Sequence, residues 1–396
     1  MAAGIYIHIP FCLKKCYYCD FFSKAVDDKD LRKQYAIALI QEINFYGKKY
    51  GKSFVADSIF FGGGTPSLME PKLINAIISA LKKNFTIAED AEISMECNPA
   101  TMGSRKLSGY KKAGVNRISI GAQSFDKNVL EKIGRIHKVE DIKKTVKMAH
   151  MVGIKNINLD LMFAVPGLGL MSWRKTVKAA IKLKPQHISF YSLEIAEDTP
   201  FGKQYKMGQF EETSIFVDRK MYHDAIKIMK RKGFNHYEIS NMALPGKECR
   251  HNKKYWEFED YLGLGASAHS FIKGVRYSNI SDIEKYIKYM RSQDMYSDTV
   301  LGSSKTYATE CVDSFHINTF ADDVSEYVFT ALRTKEGVVF KKFEEKMGKP
   351  FWDVFVNEKK KFEKFVRDGY AISDKEHIAL TEEGMDISNR IMAIFV

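Results

Sequence analysis

The chain has 396 residues, 45% of them hydrophobic and 28% charged, which is ordinary for a globular protein of about two domains. No run reaches the roughly 18 apolar residues of a membrane helix, and the first residues lead into a strand without a signal-peptide pattern. The net charge of +12 suits an anionic partner, but the lysines are spread along helical stretches, which disfavours nucleic acid. Six cysteines, three of them clustered, are typical of a reducing compartment, so we expect a cytoplasmic protein.

The first two-thirds of the chain alternates short apolar strands with amphipathic helices. The predicted strands are Gly4–Ile9, Ser58–Phe61, Glu92–Glu96, Arg117–Ile120, Ile157–Met162 and His187–Tyr191. The predicted helices between them are Leu31–Tyr46, Pro71–Lys83, Ser104–Ala113 and Val139–Val152. This alternation predicts an α/β protein with βα units and a parallel sheet, and the strand number predicts a partial (β/α)6 barrel rather than a closed (β/α)8 barrel.

Three cysteines, Cys12, Cys16 and Cys19, follow the first predicted strand in the spacing C-x3-C-x2-C. Three thiolates can hold three irons of a cubane iron–sulfur cluster and leave the fourth iron free to bind a small molecule. A structural zinc site would need a fourth ligand, and His8 lies before the first cysteine, outside the usual zinc spacing. The pattern therefore favours a [4Fe–4S] cluster over zinc.

Further motifs follow the later strands, at the edge of a parallel barrel where functional loops collect. They are Gly62-Gly63-Gly64-Thr65-Pro66 after the second strand, Asn98-Pro99 after the third and Gly121-Ala122-Gln123 after the fourth. We expect these loops to lie beside the cysteine loop.

The pattern changes from about residue 300, where helices precede a short hairpin. Helical spacing covers Glu326–Leu332, Phe340–Met347 and Phe351–Val366, and two short strands near 369–372 and 378–380 precede a last helix. This order predicts a small winged-helix-like α+β domain over 301–396, after a barrel domain over 1–300. Such domains often bind DNA, and salt-sensitive DNA binding would identify that role, but a packing or lid role fits the pattern equally well.

Together these motifs resemble the radical S-adenosylmethionine (SAM) superfamily, in which an aromatic residue precedes the third cysteine. The stretches Ser119–Phe125, Arg135–His137 and Asn158–Met162 are similar to the oxygen-independent coproporphyrinogen III oxidase-like branch, and the similarity runs over nearly the whole chain. The resemblance implies a radical SAM barrel in which SAM binds the fourth iron and is cleaved by one electron from the cluster.

The resemblance also implies roles for residues around SAM. Tyr6 and Tyr18 would wall the adenine and the cluster, and Arg135 would pair with the SAM carboxylate. The other contacts would come from polar side chains and from the glycine loop, namely Gln123, Asp160, Glu96, Gly63, Gly64 and Thr65. Many relatives have Gly-Leu-Pro-Gly-Gln where this chain has Ala164-Val-Pro-Gly-Leu, so a contact from that glutamine would be missing.

Two functions compete within this branch. Coproporphyrinogen III dehydrogenases typically carry a further cysteine two residues after the third and a long N-terminal extension, whereas this chain has Phe21 there and its first cluster cysteine is Cys12. Instead, the stretch His251-Asn252-Lys253-Lys254-Tyr255-Trp256 resembles the signature of HemW-type haem chaperones. Histidine is a common haem ligand, and Tyr and Trp offer flat faces to a macrocycle.

The sequence is therefore interpreted as a cytoplasmic haem chaperone of the radical SAM fold that binds a [4Fe–4S] cluster, SAM and haem. The haem segment would lie near 249–256, with His251 as the iron ligand and Cys249 as the second choice, while the role of His269 is left open. The partners would be haem, acceptor haemoproteins and an electron donor such as flavodoxin or ferredoxin. The alternative is coproporphyrinogen III dehydrogenase; catalysis, transient membrane contact and the oligomeric state are left open.

Overall fold

The computed structural model describes residues 2–292 and 311–396, so the predicted domain boundary between 300 and 301 lies outside the described residues. Within them the strands are β1 (Ala2–Ile9), β2 (Phe11–Cys12), β3 (Lys24–Ala25), β4 (Val55–Gly63), β5 (Thr86–Cys97), β6 (Arg117–Gln123), β7 (Asn156–Phe163), β8 (His187–Ser192), β9 (Asn235–Glu238), β10 (Asn241–Ala243), β11 (Tyr261–Leu264), β12 (His269–Ile272), β13 (Val275–Asn279), β14 (Val312–Ile317), β15 (Val338–Val339), β16 (Ala371–Ser373) and β17 (His377–Leu380).

The helices of the same residues surround the sheet or form the C-terminal domain. They are α1 (Lys29–Tyr50), α2 (Pro71–Asn84), α3 (Ser104–Ala113), α4 (Lys127–Lys132), α5 (Val139–Met151), α6 (Leu170–Lys182), α7 (Pro200–Lys206), α8 (Ile215–Lys230), α9 (Arg250–Trp256), α10 (Ile283–Arg291), α11 (Phe320–Ala331), α12 (Phe340–Met347), α13 (Phe351–Val354), α14 (Lys359–Arg367), α15 (Glu382–Met385) and α16 (Ser388–Met392). No helix in the described ranges is long and apolar enough to cross a membrane.

The large sheet of the described chain has the strand order β14-β13-β12-β11-β1-β4-β5-β6-β7-β8-β10-β9. Each neighbouring pair from β11 to β8 is parallel, and the strands outside this range pair antiparallel. The six predicted strands coincide with β1 and β4–β8, which confirms the partial (β/α)6 barrel. All carboxyl ends of these strands therefore open at one mouth of the barrel.

Hydrophobic patterning explains why these segments form the barrel. In β1 the consecutive residues Ile7, His8 and Ile9 are all buried, so both faces of this strand are covered. Helix α2 buries residues at positions i, i+3, i+4 and i+7, which is the spacing of one helix face. The barrel helices predicted from sequence are all present.

The C-terminal domain has its own core and a three-stranded sheet in the order β15-β17-β16, which confirms the winged-helix-like fold. The helix predicted over Phe351–Val366 is wrong, because the chain leaves the helical conformation at Phe355 (φ −111°, ψ 44°) and divides into α13 and α14. This break lets Phe355 and Phe362 both pack on Phe395, with ring centroids 5.1 and 5.7 Å away. The aromatic core thus overrides the helical pattern.

Candidate functional site

The predicted cluster cysteines lie on the loop between β1 and α1, at the mouth of the barrel. Cys12 is buried, while Cys16 and Cys19 are half-buried. The amide of Cys19 donates to the carbonyl oxygen of Cys16 at 3.3 Å, which forms a tight turn. Burial raises the pKa of the Cys19 thiol to about 11, and the neighbouring Cys16 and Cys12 add to the shift. A bound metal ion would reverse this effect, because its positive charge stabilises thiolates.

The donor set of this loop consists of three cysteine thiols, which are the ligands that iron–sulfur clusters use. Among the residues described, no group of three or more His, Cys, Asp or Glu side chains is arranged to hold one metal ion. In a cubane each cysteine binds a different iron, so three cysteines on one loop could bind three of the four irons.

Arg135 connects the cysteine loop to the end of β6. Its Nη1 donates to Sγ of Cys16 at 3.4 Å, and its Nη2 donates to the carbonyl oxygen of Gly121 at 2.7 Å. Its Nε is buried and has no hydrogen-bond partner among the described residues. Tyr18 lies beside Arg135 and Asp160, whose charges affect its pKa, although burial is the main cause that raises it. The Nε–H group of Arg135 therefore lacks an acceptor, and a carboxylate would supply one.

The glycine loop after β4 packs against the start of the cysteine loop. Gly63 has a φ of 105°, and its amide donates to Oε2 of Glu96 at 3.2 Å. A Cβ on Gly64 would lie 2.7 Å from the carbonyl oxygen of Phe11, so only glycine allows this approach. The hydroxyl of Thr65 lies 3.5 Å from Sγ of Cys12. Direct contact of this loop with SAM stays a prediction.

The polar side chains predicted to bind SAM stand at the ends of neighbouring strands. Asp160 accepts from Oγ of Ser119 at 2.9 Å and from Nδ2 of Asn158 at 2.6 Å. Burial and the adjacent Asp160 carboxylate raise the pKa of Glu96 to about 8, so Glu96 is mainly protonated at neutral pH. Gln123, at a positive φ of 59°, accepts from the hydroxyl of Tyr191 at 2.7 Å.

The predicted haem segment enters the barrel on α9. His251 is buried, with Nδ1 3.0 Å from Oγ of Ser58 and Nε2 2.9 Å from the hydroxyl of Tyr255. Its ring also stacks on Phe60, with centroids 5.4 Å apart. Burial lowers the pKa of His251 to about 3, so the ring is neutral. Because both nitrogens are engaged, an iron could bind His251 only after Ser58 or Tyr255 had released its hydrogen bond.

A cavity of about 190 Å³ connects the predicted SAM residues to the 249–256 segment. Its wall includes Tyr6, Glu96 and Asp160 from the strands and Cys249, His251 and Tyr255 from the segment. Pockets for drug-sized ligands measure roughly 300–1,000 Å³, so this cavity suits water or a small polar group and is too small for a haem macrocycle.

Arg117 in β6 is a cavity residue that the sequence reasoning missed. It is 2% exposed. Its Nε lies 3.9 Å from Oε2 of Glu92, and its Nη1 donates to Oγ of Ser94 at 3.4 Å. The available signal was an arginine inside an apolar predicted strand, because a buried charge needs partners. Arg117 adds a fixed positive charge to the floor of the site.

Comparison with known proteins gives matches along both domains. Residues 6–180 match the Radical SAM superfamily model, and residues 319–387 match the HemN C-terminal domain. The chain is 32% identical over 393 residues to the heme chaperone HemW of Bacillus subtilis (strain 168), covering 99% of this chain and 98% of that protein. It is 33% identical over 396 residues to the heme chaperone HemW of Buchnera aphidicola subsp. Schizaphis graminum, with coverage of 99% and 98%.

One solved structure resembles almost the entire fold. The structure described as coproporphyrinogen III oxidase (HemN) from Escherichia coli, a radical SAM enzyme, matches with a TM-score of 0.84 at 23% identity. It covers 100% of this chain and 89% of that one. At this identity the likeness concerns the fold, which is the same partial barrel with a C-terminal domain.

Proposed function

The chain belongs to the radical SAM superfamily, in the coproporphyrinogen oxidase-like branch close to the HemW haem chaperones, and on this basis we propose that it is a haem chaperone. It binds a [4Fe–4S] cluster on Cys12, Cys16 and Cys19, together with SAM and haem, and delivers haem to acceptor haemoproteins in the cytoplasm. The cluster supplies one-electron chemistry to SAM when an electron donor such as flavodoxin or ferredoxin reduces it.

One observation carries the proposal. The residues assigned to SAM and the segment that resembles the haem-chaperone signature line the same cavity, so Tyr6 and His251 face one space. Their ring centroids are 6.3 Å apart with an interplanar angle of 27°, which is a stacked arrangement. The residues assigned to SAM and the 249–256 segment therefore share one wall of packed side chains.

Different side chains at the mouth of the barrel have different roles in binding SAM and the cluster. Arg135 offers its unpaired Nε–H to the carboxylate of SAM, and Asp160 and Gln123 accept hydrogen bonds from its ribose hydroxyls. Tyr6 and Tyr18 wall the adenine of SAM and the cluster. Glu96 keeps a proton at neutral pH, so it adds no charge beside Asp160.

An anaerobic haem titration of the cluster-loaded protein, followed by absorbance, tests the proposal. Saturable one-to-one binding, with haem then passing to an apo-haemoprotein, is the expected result. The same protein is then incubated with coproporphyrinogen III, SAM and a reductant. Conversion of that porphyrinogen, with no saturable haem binding, would identify the chain as the alternative dehydrogenase and overturn the proposal.

A further inference from the structure

His269 stands at the mouth of the barrel and is exposed. It is the first residue of β12, directly after the turn that follows β11, and β11 pairs in parallel with β1. No hydrogen bond or ion pair of its imidazole ring is found within the described residues. Its ring nitrogens are therefore accessible to a ligand from solvent, in contrast to those of His251.

The turn before His269 packs against His8 at the end of β1. A Cβ on Gly265 would lie 2.7 Å from the carbonyl oxygen of His8, and the amide of Ala268 closes the turn by donating to Gly265 at 3.1 Å. Burial is the main cause that lowers the pKa of His8 to about 4, and the charge of His269 lowers it further. The turn that leads into His269 therefore packs against the end of β1.

His8 also contacts the end of the cysteine loop. Its Nε2–H donates to the carbonyl oxygen of Phe22 at 3.0 Å, and the rings of His8 and Phe22 are 6.2 Å apart. The preceding residue, Phe21, is 65% exposed. An exposed aromatic ring at this position offers a flat apolar face to a ligand.

From this arrangement we infer that haem binds at the barrel mouth, with the imidazole of His269 as an axial iron ligand and Phe21 against the macrocycle. The inference rests on the proposed function and assigns its haem site. A ring nitrogen lone pair of His269 forms the bond to iron, and no electron is transferred. His269 and Phe21 are both exposed, whereas the interior cavity of about 190 Å³ cannot enclose the macrocycle. An open site also suits a carrier that must release its haem to an acceptor.

The test is a titration of the full, cluster-loaded chain with haem alone, under anaerobic conditions. Absorbance gives the affinity, and resonance Raman spectra give the axial ligand. We expect His269→Ala to weaken binding by roughly tenfold or more and to remove the histidine signature, because it deletes a ligand to the metal. In His269→Gly, added imidazole should restore that signature.

His316→Ala is the matched control, because His316 is also exposed on the same sheet but is bound to Asp322 at 3.2 Å. Its affinity and spectrum should equal those of the wild type. If His269→Ala also behaves as the wild type, or if only His251→Ala loses the histidine signature, the assignment to His269 is overturned and the chaperone proposal stands. Wild-type protein that binds no haem overturns the chaperone proposal itself.

Discussion

The Nη1 atom of Arg135 lies 3.4 Å from the Sγ atom of Cys16, and this contact connects the cysteine loop to the end of β6. The two residues are 119 positions apart in sequence. A guanidinium N–H can also donate to the sulfur of a cysteine thiolate, so Arg135 suits a loop that would hold a cluster. The buried Nε of the same guanidinium has no partner among the described residues, so in the proposed function one side chain serves both the cysteine loop and SAM.

Removing the charge of Arg135 should weaken SAM binding. In Arg135→Gln the cluster-loaded protein is expected to bind SAM roughly tenfold less tightly, since a hydrogen bond to a charged group contributes about 1.5–3 kcal/mol. Equilibrium dialysis measures the affinity. Arg250→Gln is the control, because Arg250 is exposed and bound to Asp90 at 2.9 Å. Equal SAM affinity in both variants would contradict the role of Arg135.

Replacing one loop cysteine should remove the cluster without unfolding the chain. Cys16→Ser is expected to lower iron from about four atoms per chain to a small fraction of that, because thiolates hold the irons of such clusters. Cys249→Ser should keep its iron, since Cys249 is buried beside Glu92, with its Sγ 3.6 Å from Oε1, away from the loop. Iron and sulfide assays after reconstitution decide the matter, and full iron content in Cys16→Ser would refute the assignment.

Gly121→Ala should displace Arg135 while leaving every charge in place. The added Cβ would lie 2.9 Å from Nη2 of Arg135, so the guanidinium must move away from the carbonyl oxygen of Gly121. SAM affinity should fall, and combining this change with Arg135→Gln should give less than the sum of the two effects. Gly103→Ala is the control, because a Cβ there meets no atom within 4 Å. Additive losses would show that Gly121 acts independently of Arg135.

Glu42 should make stability depend on pH. This buried carboxyl accepts from the Gly265 amide, the Asn279 amide group and the Tyr286 hydroxyl, at 2.7, 2.7 and 2.6 Å. Burial raises its pKa from 4.5 to about 7 despite these bonds, so the native state favours the protonated form. The protonated carboxyl contributes on the order of 3 kcal/mol to the free energy of unfolding. This contribution is complete below pH 4.5 and is lost as the pH rises to about 7.

Urea unfolding of the wild type and Glu42→Gln across this range measures the effect. The loss of unfolding free energy with rising pH should be clearly smaller in the variant, because glutamine does not titrate. Glu89→Gln, at an exposed position, should follow the wild type. A Glu42→Gln curve parallel to the wild-type curve would show that Glu42 does not titrate in this range.

Local sequence patterns were sufficient for the barrel and for the motifs at its mouth. The alternation of short, largely apolar strands with amphipathic helices located β1 and β4–β8, because strands of a parallel sheet are covered on both faces. The connection of each strand to its helix then places Cys12, Gly63 and Gln123 at the same end of the sheet. Packing between distant residues was not predictable in this way, and the break in the Phe351–Val366 helix comes from such packing on Phe395.

The sequence by itself determined the (β/α)6 architecture, the cysteine loop and the family, because periodicity and motif spacing are local properties of the chain. Only the tertiary structure decided which polar groups have partners. It surrounds His251 with Ser58 and Tyr255, and it leaves His269 exposed at the mouth. The sequence favoured His251 as the iron ligand and left the role of His269 open. The two histidines differ in burial and in hydrogen bonding. This difference is not visible in the sequence, because Ser58 lies 193 residues from His251 and contacts it only in the folded chain.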